Sequence, residues 1–292
     1  MVEQRTVSLD VDAHQLNEIA NALNAAKFEI NRGDHFKWQA RKKGTTATAY
    51  PTGKLVIQGE KAETLAGWLA KKGLLSLKRS EPNPDRIGSD ESGKGDYFGP
   101  LVTAAVLVTS DTESLLFQRG VRDSKKISDT IIRRLASEVK ETCPHSIVSI
   151  GPKRYNELQA KLKSVNRVLG WAHARAIENI LEKHSCKLAV ADQFGDESFI
   201  IRALMQRGRR VELRQKHRAE EDLAVAAASV LARDGFLQWL AQSTQKYSFK
   251  FPKGASKDVV LAAQDFVRRF GRDKLGEVAK LHFKTTTEVQ DS

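Results

Sequence analysis

Cysteine is scarce in this chain of 292 residues, where Cys143 and Cys186 are the only two. Neither a disulfide framework nor a Cys-rich zinc site follows from so few, and two buried or idle thiols are expected. Long apolar runs are also missing. The longest, Leu223 to Ala232, is far short of the roughly 20 residues a membrane-spanning helix needs, so no membrane insertion is expected. The opening MVEQRTVSLDV has no basic segment followed by an apolar one, which gives no signal for export and points to a cytoplasmic protein. There is no internal repeat and no low-complexity tract. No P-loop pattern GxxxxGK[ST] occurs, and Gly93, Gly95 and Gly99 do not have the GxGxxG spacing of a dinucleotide site. The histidines form no metal motif, so His217 and His282 read first as structural or solvent-exposed groups. No Ser or Cys is arranged for nucleophilic catalysis.

Positive charge is what the chain has in excess. Lys and Arg number 48 against 36 Asp and Glu, a formal charge of +12, which favours a polyanionic partner, nucleic acid ahead of an anionic membrane. The length suits one large domain or an ordinary domain with a smaller one. SLKRSEPNPDRI, starting at Ser76, holds Pro82, Pro84 and many charges. It reads as a linker over residues 76–86, between a module of residues 1–75 and a domain of residues 87–292.

In the first module TVSLDV alternates like a strand and QLNEIANAL has helical spacing. FKWQARKK, TTATAYP and KLVIQG read as an antiparallel meander, and KAETLAGWLAKKG closes the module as an amphipathic helix. A small α+β module is expected. Beyond the linker, strand-like IGSD, LVTAAVLVT, SIVSIG, KLAVADQF and VELRQ alternate with helical stretches near Ser128–Val139, Val165–Lys183, Asp222–Gln242 and Asp258–Arg269. That order predicts an α/β domain.

The segment GSDESGKGDYFGP, Gly88 to Pro100, carries the most chemistry. An apolar approach ends in Asp90 and Glu91. Neighbouring side chains on a strand point to opposite faces, so both reach one site only where the strand ends or distorts. Gly93 and Gly95 supply a distortion and let backbone N–H groups approach a phosphate or sugar, while Lys94 adds positive charge. An exposed turn is the plainer alternative. Asp192 emerges at the end of a buried strand, where ligand sites of α/β sheets lie, although turn capping explains it equally. Glu220, Glu221 and Asp222 precede an alanine-rich helix, and capping competes with function there too. Carboxylates at separate strand ends in a basic protein suggest hard oxygen ligands for Mg2+ or Mn2+. Two such ions clamp the attacking and leaving oxygens of a phosphodiester.

Taken together, GSDESGKGDYFGP, VRDSKKIS, KRYNELQ, VADQF, RAEEDLAVAAASVLAR, FPKGAS and KLHFKTT resemble the ribonuclease HIII family of type 2 ribonucleases H, in order and over nearly the whole chain. The resemblance implies a ribonuclease H-like mixed sheet flanked by helices. It implies hydrolysis of the RNA strand of RNA/DNA hybrids, leaving 5'-phosphate and 3'-hydroxyl ends, by a protein expected to be monomeric. It makes Asp90, Glu91, Asp192 and Glu220 the catalytic carboxylates holding two divalent ions, with Asp90 bridging them. The stretch from RAE to LAV is one residue shorter than the family pattern, so Asp222 competes for the role of Glu220. By the same resemblance the loop of Gly93, Lys94 and Gly95 contacts 2'-hydroxyls, and Ser124 and Lys125 contact phosphate unless they merely start a helix. The first module resembles half of a TATA-binding protein. This favours ribonuclease HIII over a ribonuclease HII-like enzyme that incises at single embedded ribonucleotides. Composition and strand position nominate Lys42, Lys43, Lys54, Trp38 and Tyr50 for substrate binding there, where a solvated sheet face would look the same.

Overall fold

The computed structural model describes residues 6–33, 36–75, 84–121, 127–216, 219 and 222–290. The chain divides into two compact units. One holds residues 1–83 with Gln118–Gly120, and the other holds the remainder.

The first unit is a five-stranded antiparallel sheet in the order β1-β5-β4-β3-β2. Its elements are β1 (Thr6–Asp10), α1 (Ala13–Ala25), β2 (Glu29–Gly33), β3 (Phe36–Lys42), β4 (Thr45–Ala49), β5 (Lys54–Gly59) and α2 (Ala62–Lys71). Leu16, Ile19 and Leu23 of α1 recur at helical spacing, as do Leu65 and Leu69 of α2. All are buried with Trp38, Ala40, Ala47, Ala49, Leu55 and Ile57 from one face of the sheet. Period-2 alternation turns Lys37, Gln39 and Arg41 of β3 to the other face. Lys42 pairs with Thr45, leaving Lys43 and Gly44 as a two-residue turn with φ of 38° and 76°. Positive φ at both positions suits a tight hairpin, and Gly44 accepts it without strain.

The second unit is a mixed sheet in the order β10-β9-β6-β7-β8. It contains β6 (Arg86–Ser92), β7 (Leu101–Val108), α3 (Ser110–Gln118), α4 (Asp129–Thr142), β8 (His145–Ile150), α5 (Pro152–Leu162), α6 (Val165–Leu181) and β9 (Leu188–Asp192). After these come α7 (Ser198–Ile201), β10 (Glu212–Lys216), α8 (Leu223–Tyr247), α9 (Lys257–Phe270), α10 (Leu275–Val278) and α11 (Lys284–Gln290). Strand β6 runs antiparallel to β7 and parallel to β9. The apolar run of β7 reflects cover on both faces. Val102, Ala104 and Val106 pack with α4 and α8, whereas Ala105 and Leu107 pack with Ala174 and Ile177 of α6. Arg86, at the end of the stretch read as linker, is the first residue of β6.

Helix α8 is the core helix. It is the one described helix with the length and apolar composition to cross a membrane, yet 67% of its most apolar window is buried. It lies unusually close to β6, because a Cβ placed on Gly88 would stand 2.0 Å from the backbone carbon of Ala224. Small residues from Ala224 to Ala228 make this approach possible.

Candidate active site

The alternation of β6 continues in register to Ser92, which faces Val102, so the strand carries Asp90 and Glu91 to opposite faces of the sheet. Asp90 meets Ser229 of α8. Glu91 meets His173 of α6, with 3.1 Å between Oε2 and Nε2. Both carboxylates nevertheless line one cavity of about 370 Å3 beyond the strand end, together with Asp192, Lys94, Phe194 and Arg233. The end of β6 is enough to unite them, since the cavity opens beyond that strand end and takes one carboxylate from each side.

The cavity concentrates negative charge in a poorly solvated place. Asp90 is 5% exposed, and its carboxyl is pushed up to about 8, first by burial and then by Glu91, with Asp192 adding to the effect. Ser229 and the Glu91 N–H oppose the rise. Such a carboxyl ionises readily once a cation stands beside it, so the donor set fits a hard divalent ion. Among the described residues no three His, Cys, Asp or Glu side chains are grouped so as to hold a metal ion between them, and Glu220 lies outside them. Opposing charge is close. Lys94 Nζ is 3.8 Å from Glu91 Oε1, and Arg233 is held by Asp129 at 2.8 Å, whose other oxygen takes Lys253 at 2.6 Å.

Distant segments fasten the loop that follows Glu91. Gly93 has φ of 88°, and a Cβ there would stand 2.1 Å from the Pro100 carbonyl oxygen, so only glycine fits. Gly95 is different, because a Cβ there meets nothing within 4 Å. Asp96 accepts from the Gly254 N–H at 2.6 Å and Tyr97 N–H donates to the Gly254 carbonyl at 2.9 Å. The Gly99 N–H donates to Val278, and the buried Lys280 donates from Nζ to the Gly99 carbonyl at 2.6 Å. Asn156 of α5 in turn donates to the Ala279 carbonyl and accepts from the Leu281 N–H, each at 2.9 Å. The segments KRYNELQ, FPKGAS and KLHFKTT thus serve as anchors of the glycine loop.

Comparison with known proteins decides the family. The Ribonuclease HII family model matches residues 87–286, and a domain of unknown function matches residues 6–80. The ribonuclease HIII of Protochlamydia amoebophila is 40% identical over 285 residues, covering 96% of this chain and 95% of its own length. This chain belongs to the ribonuclease HIII family. The ribonuclease HIII of Chlamydia pneumoniae is 37% identical over 94% of both chains. The crystal structure of Bst-RNase HIII in complex with Mn2+ is 27% identical, with 98% of each chain covered and a TM-score of 0.67. Membership makes the chain a ribonuclease H-type endonuclease. The mixed sheet between helices and the separate antiparallel sheet are the architecture expected for ribonuclease HIII.

Within this ribonuclease HIII fold the candidates separate. Asp90, Glu91, Asp192 and the loop of Gly93, Lys94 and Gly95 come together. Asp222 does not join them. It caps α8 by accepting from the Ala224 N–H at 2.9 Å and binds Arg86 Nε at 2.7 and 2.9 Å. Arg86 precedes Asp90 by four positions on β6, roughly 13 Å of strand. Ala219, next to Glu220, donates its N–H to Asp192 at 3.1 Å. Glu220, Glu221, His217, Ser124 and Lys125 lie outside the described residues. His282 lies beside Tyr155, with ring centroids 5.3 Å apart and planes tilted by 39°, and does not line the cavity.

In the first unit Trp38 is buried, with its indole N–H on the Leu16 carbonyl at 3.0 Å, so the expected substrate-binding role is corrected to a core role. Lys42 donates to the Ala26 carbonyl at the end of α1 and lies over Phe28. Lys43 sits in the hairpin turn, Lys54 is exposed at the start of β5, and Tyr50 is 37% exposed.

His173, Ser229 and Arg233 escaped the sequence reading. The available signal was a polar residue on a buried helix face, as in WAHARA and AAASVL, because such a group needs a partner across the core. A larger cleft of about 560 Å3 lies at the other end of β7, lined by Lys140 and Asn179. There Lys140 pairs with Asp234 and Asn179 with Ser146.

Proposed function

We propose that this chain hydrolyses the RNA strand of RNA/DNA hybrids, leaving 5'-phosphate and 3'-hydroxyl ends. The observation that carries this reading is the meeting of Asp90, Glu91 and Asp192 in one cavity that also holds Lys94 and Arg233. Asp90, Glu91, Asp192 and Glu220 would hold two divalent ions, Mg2+ or Mn2+. When bound, these supply Lewis-acid activation to the attacking water and the departing oxygen.

The chain's own groups perform the rest. Ser229 and the Glu91 N–H orient the Asp90 carboxylate. Arg233, steadied by Asp129, brings positive charge to the phosphate, and Lys94 adds a second cation to the cavity lining. The open surface at Gly95 lets a substrate backbone approach closely, and N–H groups of Gly93 to Gly95 would read 2'-hydroxyls, which separate RNA from DNA. Water adds to phosphorus, the bond to the 3'-oxygen breaks, and that oxygen leaves with a proton. The first unit would grip the duplex by the sheet face bearing Lys37, Arg41 and Lys54, with Lys43 at its hairpin tip. Ser124 and Lys125 would add phosphate contacts.

A labelled RNA/DNA hybrid incubated with Mg2+, with Mn2+ or with chelator tests the reading. Cleavage only with added metal, giving 5'-phosphate products, is expected. A duplex with one embedded ribonucleotide should be cut poorly, and equal cutting of both substrates would establish ribonuclease HII-like incision instead.

A further inference from the structure

His173 lies in the middle of α6 and is fully buried, a polar group among the apolar side chains of that helix. Its ring spans two residues of β6. Nδ1 is 2.7 Å from Ser89 Oγ, and Nε2 is 3.1 Å from Glu91 Oε2. An ionised Glu91 only accepts, so the proton toward it sits on Nε2. Ser89 Oγ also lies 3.0 Å from the Ala104 carbonyl, which ties the far side of the ring to β7. The face of the imidazole is stacked on Phe194, with centroids 5.0 Å apart and planes 18° from parallel. Lys94 Nζ stands over that same Phe194 ring at 5.7 Å. The ring is therefore fixed at both nitrogens and on one face.

We propose that His173 is the positioning residue of the active site. It holds Glu91 Oε2 through Nε2–H, so that the carboxylate presents a defined oxygen to a divalent ion. The inference rests on the reading of Glu91 as a metal ligand. Oε2 is the oxygen taken by His173, and Oε1 is the one on the side of Lys94. Fixing one oxygen removes the rotation by which a carboxylate alternates between one-oxygen and two-oxygen coordination. Groups that hold a ligand in this way typically change metal affinity or activity by 10- to 100-fold when removed.

The test is Mn2+ binding to the full-length protein by titration calorimetry at one fixed pH without nucleic acid, beside melting in EDTA. The amide nitrogen of Gln reaches the place of Nε2, and that of Asn the place of Nδ1. His173→Asn and His173→Ala should weaken Mn2+ binding by about 10-fold or more, while His173→Gln should restore it to within a few-fold of wild type. Ser89→Ala, which frees the far nitrogen with little loss of volume, should shift affinity in the same direction. If His173→Ala does not fold, the Gln and Asn pair and Ser89→Ala carry the comparison. Unchanged Mn2+ affinity in folded His173→Asn, or equal weakness in the Gln and Asn variants, overturns the proposal. Glu91→Gln separates the two levels. Undiminished Mn2+ binding by that variant overturns the ligand reading together with this inference, whereas loss there with none in His173→Asn overturns the inference alone.

Discussion

The Asp222 carboxylate receives Arg86 Nε at 2.7 and 2.9 Å, and this pair joins the start of α8 to the start of β6. Arg86 is 2% exposed, and its Nη2 reaches Glu113 at 2.8 Å, so the guanidinium depends on acidic partners in a desolvated place. Removing one partner of a buried pair typically costs about 3–5 kcal/mol. Asp222→Ala should therefore lower the melting temperature by many degrees while the folded fraction keeps its cleavage rate per molecule. Glu220→Gln should do the reverse, abolishing cleavage with little change in melting. Thermal melts beside hybrid cleavage decide it, and the opposite pattern would make Asp222 the fourth carboxylate.

Asp90 links activity to stability with a defined sign. Its folded pKa of about 8 lies above the unfolded carboxylate value. Between those values the folded protein keeps a proton the unfolded chain has lost, so metal-free stability falls as pH rises. Asp90→Asn has no such proton. In EDTA the variant should melt above wild type, by an amount growing from pH 5 to pH 8 to the order of a few kcal/mol. The same variant should have no cleavage activity. A melting difference that stays constant over this range would count against the assignment.

The two glycines beside Lys94 should respond differently to alanine. Gly93→Ala forces a side chain into φ of 88° and against the Pro100 carbonyl, and should destabilise by more than about 1–2 kcal/mol. Gly95→Ala should leave stability within about 0.5 kcal/mol, since its methyl meets no protein atom. That methyl stands where a substrate backbone would approach, so KM for the hybrid should rise. Steady-state kinetics and melting of both variants check the contrast.

Charge on the open sheet of the first unit should appear in the salt dependence of binding. Lys37, Arg41 and Lys54 are exposed there, away from the helix-covered face. Replacing all three by Gln should weaken hybrid binding and reduce the slope of log K against log salt, by up to roughly 0.9 for each phosphate left without its cation on a B-form duplex. Replacing Lys42 should affect stability more than this slope, because its ammonium is engaged by the Ala26 carbonyl. Equal slopes for wild type and the triple variant would remove this face from the binding surface.

Residues whose meaning is local were legible from sequence. The run LVTAAVLV announced a strand, and the meander from Phe36 to Gly59 formed in the expected antiparallel pairs. Asp90, Glu91 and Asp192 were recognisable because each ends or nearly ends a strand. Partnerships across the fold were hidden. Trp38 occupies a β3 position that looks available for substrate binding, yet it faces α1, and only the side of the sheet that the helices cover settles this. His173 is 82 positions from Glu91, and Arg86 is 136 from Asp222, distances over which no local pattern carries information. Of the two routes by which Asp90 and Glu91 could share a site, a strand end or a distortion, the strand end suffices, because a cavity beyond it receives side chains from both faces.

The close approach of Gly88 to Ala224 sets limits on how this enzyme can be changed. Backbone meets backbone there, with no intervening side chain to yield, so the floor that carries Asp90 and Ser229 behaves as a single casting. A larger residue at position 88 would lift the whole of α8, displacing Ser229 and Arg233 together. Efforts to retune substrate choice will therefore find their useful variation in the walls, around Gly95 and at Gln193. Libraries that reach into β6 or the first turns of α8 should return mostly unfolded protein.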